Sequence, residues 1–336
     1  METQESRLFE VLDKSTEIIL EKLKISYLEA LIQSVENLMD DGKVYDEEKM
    51  IPKKSVDQLE KMYQSVDLKK YSRDSLASTM QLALVKAMKE DYIQANHQLT
   101  PDSIGNLIAY LIEIIVEPKG SIHLADLSVG TANLLLTVYH FLSQDKKREI
   151  KLSGVDNDEL MIATASTNSA IQNTQISLHY QDSLTNILLD PADIIVSDLP
   201  IGYYPVDERA AKFKTHFEDQ ETKSYSHYLL IEQSINYLKD SAYAFFLLPT
   251  NLFSDENIKV LVNYLNDVAY IQAIIELPEE LFANEKSRKT VLVIQKKGNE
   301  AAQMEEVLLS KAPDFKDFEA MKQFLGEINE WKDLKN

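Results

Sequence analysis

The chain has 336 residues, no cysteine, and 35 basic against 55 acidic side chains, which gives a formal net charge of −20. The length indicates two domains, because a single hydrophobic core rarely grows beyond about 250–300 residues. The lack of cysteine excludes disulfides and thiolate metal sites, and the negative charge disfavours tight autonomous binding to a polyanion such as DNA.

The N-terminal segment METQESRLFEVLDK mixes charges and lacks the apolar core of a signal peptide. No apolar stretch elsewhere approaches the roughly 20 residues that a membrane span needs. We therefore expect a cytoplasmic protein with no membrane partner.

Residues 6 to about 92 have the pattern of amphipathic helices. Apolar residues between Leu28 and Leu38 follow the i, i+3, i+4, i+7 spacing that places side chains on one stripe. The polar segment Asp41–Pro52, with Gly42 as a breaker, predicts a loop between helices. We predict an N-terminal helical domain over residues 1–92, a candidate surface for a protein partner.

A second domain is predicted over residues 93–336, with a C-terminal helical extension. Thr100 as N-cap and Pro101 at the first helical position predict the start of a helix that continues over Ile104–Val116. Short apolar runs then alternate with helical stretches, which is typical of βαβ units and a parallel sheet covered on both faces. The seven predicted strands are Ser121–Asp126, Ile150–Asp156, Ile176–Asp182, Ala192–Asp198, Ala242–Pro249, Tyr270–Pro278 and Lys289–Lys297. The fold class predicted is thus α/β, with a Rossmann-like, doubly wound, seven-stranded and mostly parallel sheet.

The first four strands each end in an aspartate, at the edge where open parallel sheets bind ligands. Asp126 is followed by a turn with one glycine, Gly130, whose backbone amides can approach a ligand. The chain lacks both G-x-G-x-x-G and G-x-x-x-x-G-K-[ST], so a cofactor without a pyrophosphate fits best. Asp156 is placed to accept both hydroxyls of a ribose, and Asp182 to accept a hydrogen bond from an exocyclic amine such as that of adenine.

The fourth strand runs into Asp198-Leu-Pro-Ile-Gly-Tyr-Tyr-Pro205, which is the candidate substrate turn. At this point the chain from about Ile93 to Lys297 resembles the class I S-adenosylmethionine (SAM) dependent methyltransferases. It resembles in particular the N6-adenine DNA methyltransferase family of type I restriction-modification modification subunits, and among these the short stand-alone bacterial relatives.

The resemblance rests on an ordered set of motifs. Gln98-Leu-Thr-Pro101 is similar to the segment before the cofactor loop, Asp126–Asn133 to the Asp-Pro-x-x-Gly-Thr-Gly cofactor loop, and Asp198–Gly202 to the Asn/Asp-Pro-Pro-aromatic-Gly catalytic loop. It implies SAM as cofactor and no metal. The cofactor-binding residues that it implies are Thr100, Asp126, Gly130, Thr131, Asp156 and Asp182.

The sequence departs from the family motifs at four positions: Leu127, Ala132, Leu199 and Ile201. In the family, the first side chain of the catalytic loop and the next backbone carbonyl hold the amino group that is methylated. The resemblance therefore implies catalytic roles for Asp198, Leu199 and Pro200. Two acceptors on one amine localise the nitrogen lone pair and stabilise the developing charge. Ile201 offers no aromatic face for stacking on a base, which leaves Tyr203 as a candidate for that role.

Simpler interpretations remain open for several features. A single aspartate at a strand end is often only a cap or turn residue. The six histidines lack paired metal-ligand spacing, and we assign them no chemistry. The polar segment Val206–Ser224 shows no obvious secondary-structure pattern and predicts a mobile lid or substrate-binding loop beside the catalytic turn, or a disordered surface insertion. A local basic groove would need several side chains to converge: Arg209, Lys212, Lys214, Lys223, Lys286, Arg288 and Lys289.

The sequence therefore predicts a SAM-dependent methyltransferase that acts on an exocyclic amino group, with N6 of adenine in DNA as the first candidate. The negative charge and the lack of a target-recognition domain make a partner subunit or weak recognition necessary on DNA. Two alternatives stay open: methylation of RNA or of a protein amide, and a SAM-binding regulatory protein that has lost catalysis.

Overall fold

The computed structural model describes residues 4–46, 48–92, 99–118, 120–217, 223–254, 257–282 and 284–334. Contacts divide the chain into two compact units. The first unit comprises Met1–Leu99, Gly130–Asn133 and Asp158–Leu178, and the second comprises Thr100–Val129, Leu134–Asn157 and His179–Asn336. The domain boundary predicted at residues 92/93 stays a prediction.

Helices and strands alternate in the second half of the chain, as the sequence pattern predicts. The helices of the described residues are α1 (Gln4–Leu23), α2 (Tyr27–Met39), α3 (Lys53–Tyr63), α4 (Arg73–Glu90), α5 (Asp102–Ile115), α6 (Asn133–Leu142), α7 (Glu159–Ile171), α8 (Asp207–Ala210), α9 (Ser226–Tyr237), α10 (Ile258–Val268) and α11 (Phe318–Asp333). The strands are β1 (Ser121–Asp126), β2 (Glu149–Asp156), β3 (Ser177–Tyr180), β4 (Ala192–Asp198), β5 (Leu238–Pro249), β6 (Ala269–Glu276), β7 (Lys289–Lys296) and β8 (Leu308–Lys311). None of the helices described is both long enough and apolar enough to cross a membrane.

The first unit is a helical bundle. Helices α1 to α4 bury their apolar stripes against one another, and Met161 and Ile171 of α7 join the same core. Burial of such stripes supplies most of the stability of an amphipathic helix. The predicted loop Asp41–Pro52 lies between α2 and α3. Its Gly42 has φ +77°, a left-handed conformation that glycine adopts without strain.

The second unit is built on one eight-stranded sheet with the order β3-β2-β1-β4-β5-β7-β6-β8. Strands β2, β1, β4 and β5 are parallel to one another, whereas β7 runs antiparallel between β5 and β6. The strand order reverses between β1 and β4, which is the switch point where ligands bind in such sheets. The predicted doubly wound, mostly parallel sheet is therefore confirmed, and β8 extends the seven predicted strands at the edge beside β6.

One hydrophobic core of the second unit lies between β4, β5 and β7 and the helices α9 and α10. Ile195, Phe246 and Leu292 of the strands pack there with Tyr228 and Leu261 of the helices. These strands are apolar along most of their length because the sheet is covered on this face. Burial of this kind contributes roughly 25 cal/mol per Å² of apolar surface.

Helix α5 begins one residue later than the sequence predicted. Pro101 occupies the N-cap position, and its carbonyl accepts hydrogen bonds from the amides of Ile104 and Gly105. Thr100 is therefore not the N-cap, and its hydroxyl reaches a side chain outside the helix. Gly105 lies so close to α6 that a Cβ there would stand 2.7 Å from Cγ2 of Thr137.

Candidate active site

The predicted strand-end aspartates of the second unit lie along the carboxyl edge of the sheet. Asp126 of β1 is in register with Gly154 of β2, and Asp156 follows Gly154 by two residues. Asp198 ends β4, in register with Leu247 of β5. Because parallel strands end at the same edge, these side chains border the β1/β4 switch point.

Asp126 is the most buried of these carboxyl groups, with 2% of its surface exposed. Its Oδ1 accepts hydrogen bonds from the amide of Ser128, at 2.9 Å, and from the hydroxyl of Ser197. Burial raises the pKa of Asp126 to about 7, and the charges of Asp156 and Asp198 add to this effect. The two hydrogen bonds act in the opposite direction. Asp126 is thus a carboxyl group that changes charge near neutral pH.

Two serines connect the end of β1 to the end of β4. The Ser128 hydroxyl lies 2.8 Å from that of Ser197 and 3.3 Å from the backbone carbonyl of Asp198, and it can donate its one proton to either oxygen. The loop after β1 and the loop after β4 are therefore joined by direct hydrogen bonds. No sequence motif singled out either serine, because a serine in a strand or turn carries no chemical signal until its neighbours are known.

Asp198 has a partner on each carboxylate oxygen. Thr100 Oγ1 donates to Oδ2 at 2.8 Å, and the Lys289 ammonium forms an ion pair with Oδ1. Thr100 was predicted as a cofactor residue, and the structure places its hydroxyl on the Asp198 carboxylate of the predicted catalytic loop. Lys289 was predicted only as one member of a basic groove. The only sequence feature that could have pointed to Lys289 is its position at the start of the last predicted strand of the sheet.

The rest of the predicted catalytic loop exposes Ile201 and one aromatic ring. Leu199 is buried and its amide donates to the carbonyl of Leu247 at 3.2 Å, which fixes the peptide that follows Asp198. Pro200 follows it, and Ile201 is 37% exposed. Tyr203 is 55% exposed and stacks on Tyr225, with ring centroids 5.0 Å apart.

Asp182 is bound by the segment that follows the catalytic loop. Its Oδ1 accepts from the amide of Leu184 at 2.9 Å, and its Oδ2 accepts from the Tyr204 hydroxyl at 2.6 Å. Arg209 of α8 forms an ion pair with Oδ2 and also donates to the Tyr204 hydroxyl, at 2.7 Å. The carboxylate predicted to contact adenine is therefore also the anchor of residues 204–209.

The segment Val206–Ser224 is more ordered than the sequence predicted, over the residues that the structure describes. It contains α8, and Ala210 and Phe217 are buried in the core. The buried Glu232 of α9 accepts hydrogen bonds from the amides of Lys214 and Thr215. The expected lack of secondary structure is therefore wrong at α8, whereas a role of this segment as a lid or substrate-binding loop stays a prediction. Residues 218–222 of the predicted lid lie outside the described residues.

Asp156 and the glycine turn have the local backbone structure that the sequence predicted, a strand end and a tight turn. The half-buried Asp156 ends β2, and its carbonyl accepts from the amide of Gln181 at 2.9 Å. Gly130 and Thr131 belong to the first unit. Gly130 has φ +50°, and the Thr131 carbonyl accepts a 2.9 Å hydrogen bond from Asn168 of α7. The cofactor roles of all three residues stay predictions, and Gln98 of the preceding motif lies outside the described residues.

The basic side chains near this edge are largely neutralised. Arg209 pairs with Asp182, Lys289 with Asp198, and Arg288 with Glu279. In the described part of the chain, no group of three or more His, Asp or Glu residues is arranged to hold a metal ion. These three basic side chains of the predicted groove are therefore compensated by carboxylates.

Two family profiles match the sequence of the chain. The profile described as N-6 DNA Methylase matches residues 72–329, and a profile described as the YtxK N-terminal helical domain matches residues 6–88. The uncharacterized protein YtxK of Bacillus subtilis is 32% identical over 329 residues, which cover 96% of each chain.

Solved structures show the same architecture. A proposed class I SAM-dependent methyltransferase from Listeria monocytogenes is 37% identical and has a TM-score of 0.91, with 98% of this chain and 99% of that chain covered. The type I restriction-modification methyltransferase subunit of Streptococcus thermophilus has a TM-score of 0.65 at 16% identity, with 95% of this chain and 74% of that chain covered. The latter similarity concerns the fold alone.

Proposed function

Because the chain belongs to the N-6 DNA methylase family, we propose that it transfers a methyl group from SAM to an exocyclic amino group, with N6 of adenine in DNA as the first candidate acceptor. The observation that carries this proposal is the hydrogen-bonded connection between Asp126 and the Asp198 loop through Ser128 and Ser197. It joins the predicted cofactor loop to the predicted catalytic loop at the switch point of the sheet.

The side chains at this edge fit the chemistry of SAM. The cofactor carries ribose hydroxyls, an adenine amine and cationic groups, all of which favour hydrogen-bond acceptors or negative charge. Asp156 would accept from the ribose hydroxyls and Asp182 from the adenine amine, while Asp126, Gly130 and Thr131 belong to the proposed cofactor loop. Oδ1 of Asp182 already accepts from one backbone amide and has a further lone pair to offer.

At the acceptor side, Asp198 and the carbonyl of Leu199 would hold the two protons of the amine, and Pro200 would shape the loop around them. Bound SAM would supply an electrophilic methyl group, and its sulfonium would leave as the thioether of S-adenosylhomocysteine when the sulfur–methyl bond breaks. The nitrogen that gains the methyl loses a proton, and Asp198 is a carboxylate able to receive it. The donated hydrogen bonds of Thr100 and Ser128 keep the side chain and carbonyl of Asp198 in place for this role.

The charge of the protein bears on which molecule accepts the methyl group. The net charge of −20 and the ion pairs of Arg209, Arg288 and Lys289 oppose strong contact with phosphates. We therefore propose that DNA is reached through a protein partner, for which the N-terminal helices are the candidate surface. RNA and protein amides remain alternative acceptors, since each offers an uncharged amino group.

A second candidate function is a SAM-binding regulatory protein without transfer. The Lys289 ammonium on Asp198 and the aliphatic Ile201 favour it, because both depart from an open, base-stacking catalytic loop. It predicts cofactor binding with no acceptor. The two functions differ in whether any methyl group leaves the cofactor.

The first test is calorimetric titration with SAM and with S-adenosylhomocysteine. We expect a Kd near the micromolar range, about −8 kcal/mol, that is weakened at least tenfold by Asp156→Ala. Lys151→Ala is the matched control, since Lys151 lies on the same strand and pairs with Asp190 on the surface. Equal Kd values for wild type and Asp156→Ala would overturn the assignment of Asp156 to the cofactor site.

The second test follows methyl transfer from isotopically labelled SAM into DNA, RNA and protein from a cell extract. An enzyme should label one class of acceptor, and Asp198→Ala should lose the label while it keeps SAM affinity. Binding of SAM with no label in any fraction would favour the regulatory protein. Equal labelling by wild type and Asp198→Ala would remove Asp198 from the catalytic role.

A further inference from the structure

Lys289 reaches Asp198 from two strands away. Asp198 ends β4 beside Leu247 of β5, and Lys289 begins β7 beside Pro249 of β5. Because β7 runs antiparallel, its first residue lies at the edge where β4 and β5 end. Neighbouring strands are only about 4.8 Å apart, so a lysine side chain can cross β5 and meet the carboxylate.

The pair is well shielded from solvent. The side chains of Lys289 and Asp198 are 20% and 17% exposed. Thr100 Oγ1 holds the second carboxylate oxygen at 2.8 Å. Solvent and salt screen such a pair much less than an exposed one. The Lys289 ammonium therefore stands where the proposed mechanism places the amino group of the acceptor.

We infer that the Asp198 carboxylate is an ammonium-binding site, that Lys289 fills it, and that Lys289 makes the acceptor site selective for uncharged amino groups. This inference rests on the proposed function for the role of Asp198. A second ammonium at Asp198 would be repelled by Lys289 and would compete with it for the carboxylate, whereas an uncharged amine can share the remaining lone pairs.

The selectivity has a direct chemical meaning. A lysine or α-amino group is protonated at or near neutral pH, so it meets the repulsion and has no lone pair for the methyl group. An aromatic amine of a nucleobase and a side-chain amide are uncharged at that pH. Lys289 is thus a specificity-determining residue that favours these acceptors over alkylammonium groups.

The experiment refills the site after the lysine is shortened. In Lys289→Ala, ethylammonium chloride should raise the Tm by several degrees in a saturable manner, beyond the change that sodium chloride gives at equal concentration. The wild type should respond equally to the two salts, because its own ammonium occupies the site. Arg288→Ala is the matched control, since the Arg288 guanidinium pairs with Glu279 and not with Asp198.

The same titrations measure selectivity. We expect ethylammonium to bind Lys289→Ala at least tenfold more tightly than wild type or Arg288→Ala. Equal responses of the three proteins would overturn the inference. If Lys289→Ala does not fold, Lys289→Ser, which also leaves the ammonium position empty, takes its place, and the same two salts and criteria apply. Calorimetry with SAM on each protein separates failure of the proposed function from failure of this inference. A wild-type protein that does not bind SAM would refute the proposed function and leave the ethylammonium result intact.

Discussion

The hydroxyl of Tyr204 donates a 2.6 Å hydrogen bond to Oδ2 of Asp182. The segment that leaves the proposed catalytic loop is thereby attached to the carboxylate proposed to bind the adenine of the cofactor. Arg209 completes the arrangement through both groups. The geometry predicts that the stability of this segment and the cofactor site depend on one another.

Tyr204→Phe removes this hydrogen bond while it keeps the buried ring. A hydrogen bond to a charged acceptor contributes about 1.5–3 kcal/mol, and the partial exposure of Asp182 places the expected loss of unfolding free energy at about 1–2 kcal/mol. Urea denaturation measures it. Tyr203→Phe is the control, because that ring is 55% exposed and should change stability by less than about 0.5 kcal/mol. Similar values for the two variants would contradict the assigned contact.

Asp126 predicts a pH dependence of stability. Its pKa is raised by burial from an ordinary value of 3.8 to about 7 in the folded protein, so folding favours the protonated carboxyl. The stabilisation is fully present below the pKa of the unfolded chain and is lost as the pH rises through about 7.

Asp126→Asn cannot ionise and keeps an oxygen for Ser128 and Ser197 to donate to. Relative to wild type, its unfolding free energy should therefore increase between pH 4 and pH 7 and level off above pH 8. Denaturant titrations at each pH give the difference between the two proteins. A difference that does not vary with pH would show that Asp126 titrates at its ordinary pKa.

Gly130→Ala tests the backbone of the glycine turn. Gly130 has φ +50° and a Cβ added there would meet no other atom within 4 Å, so the expected cost is backbone strain alone, about 1 kcal/mol. Gly326→Ala makes the same change inside α11, again with open space, and should stabilise the protein by about 0.5–1 kcal/mol. Thermal unfolding of both variants should show opposite signs, and equal signs would contradict the strained turn.

Asp91 caps the N-terminus of α2 from a distant part of the chain. Its two carboxylate oxygens accept from the amides of Tyr27, at 2.7 Å, and Leu28, at 2.8 Å. Asp91→Ala should lower the unfolding free energy by about 1–2 kcal/mol, because the end of the helix loses both acceptors and a favourable charge. Asp57→Ala, an exposed carboxylate on α3, is the control. Equal effects of the two substitutions in urea would refute the capping role.

Local patterns in the chain were sufficient to predict the fold class and the order of its elements. Alternation of short apolar runs with helical stretches located β1 to β7, because burial on both faces of a parallel sheet demands apolar strands. It also placed Asp126, Asp156 and Asp198 at strand ends, since hydrophobic periodicity is a local property of the chain. Asp182, predicted to end the third strand, lies two residues beyond β3. The helical N-terminal region follows from the same kind of local signal.

Which side chains meet could be learned only from the folded chain. Lys289 is 91 residues from Asp198 in the sequence, and Arg209 is 27 residues from Asp182. These pairs depend on strand order, on the antiparallel direction of β7 and on the path of residues 204–217, which local patterns do not encode. The pKa of Asp126 likewise depends on its burial and on the nearby charges of Asp156 and Asp198. The aspartates of the site could therefore be identified from the sequence. Their pairing with basic side chains could not, because it depends on contacts between residues far apart in the chain.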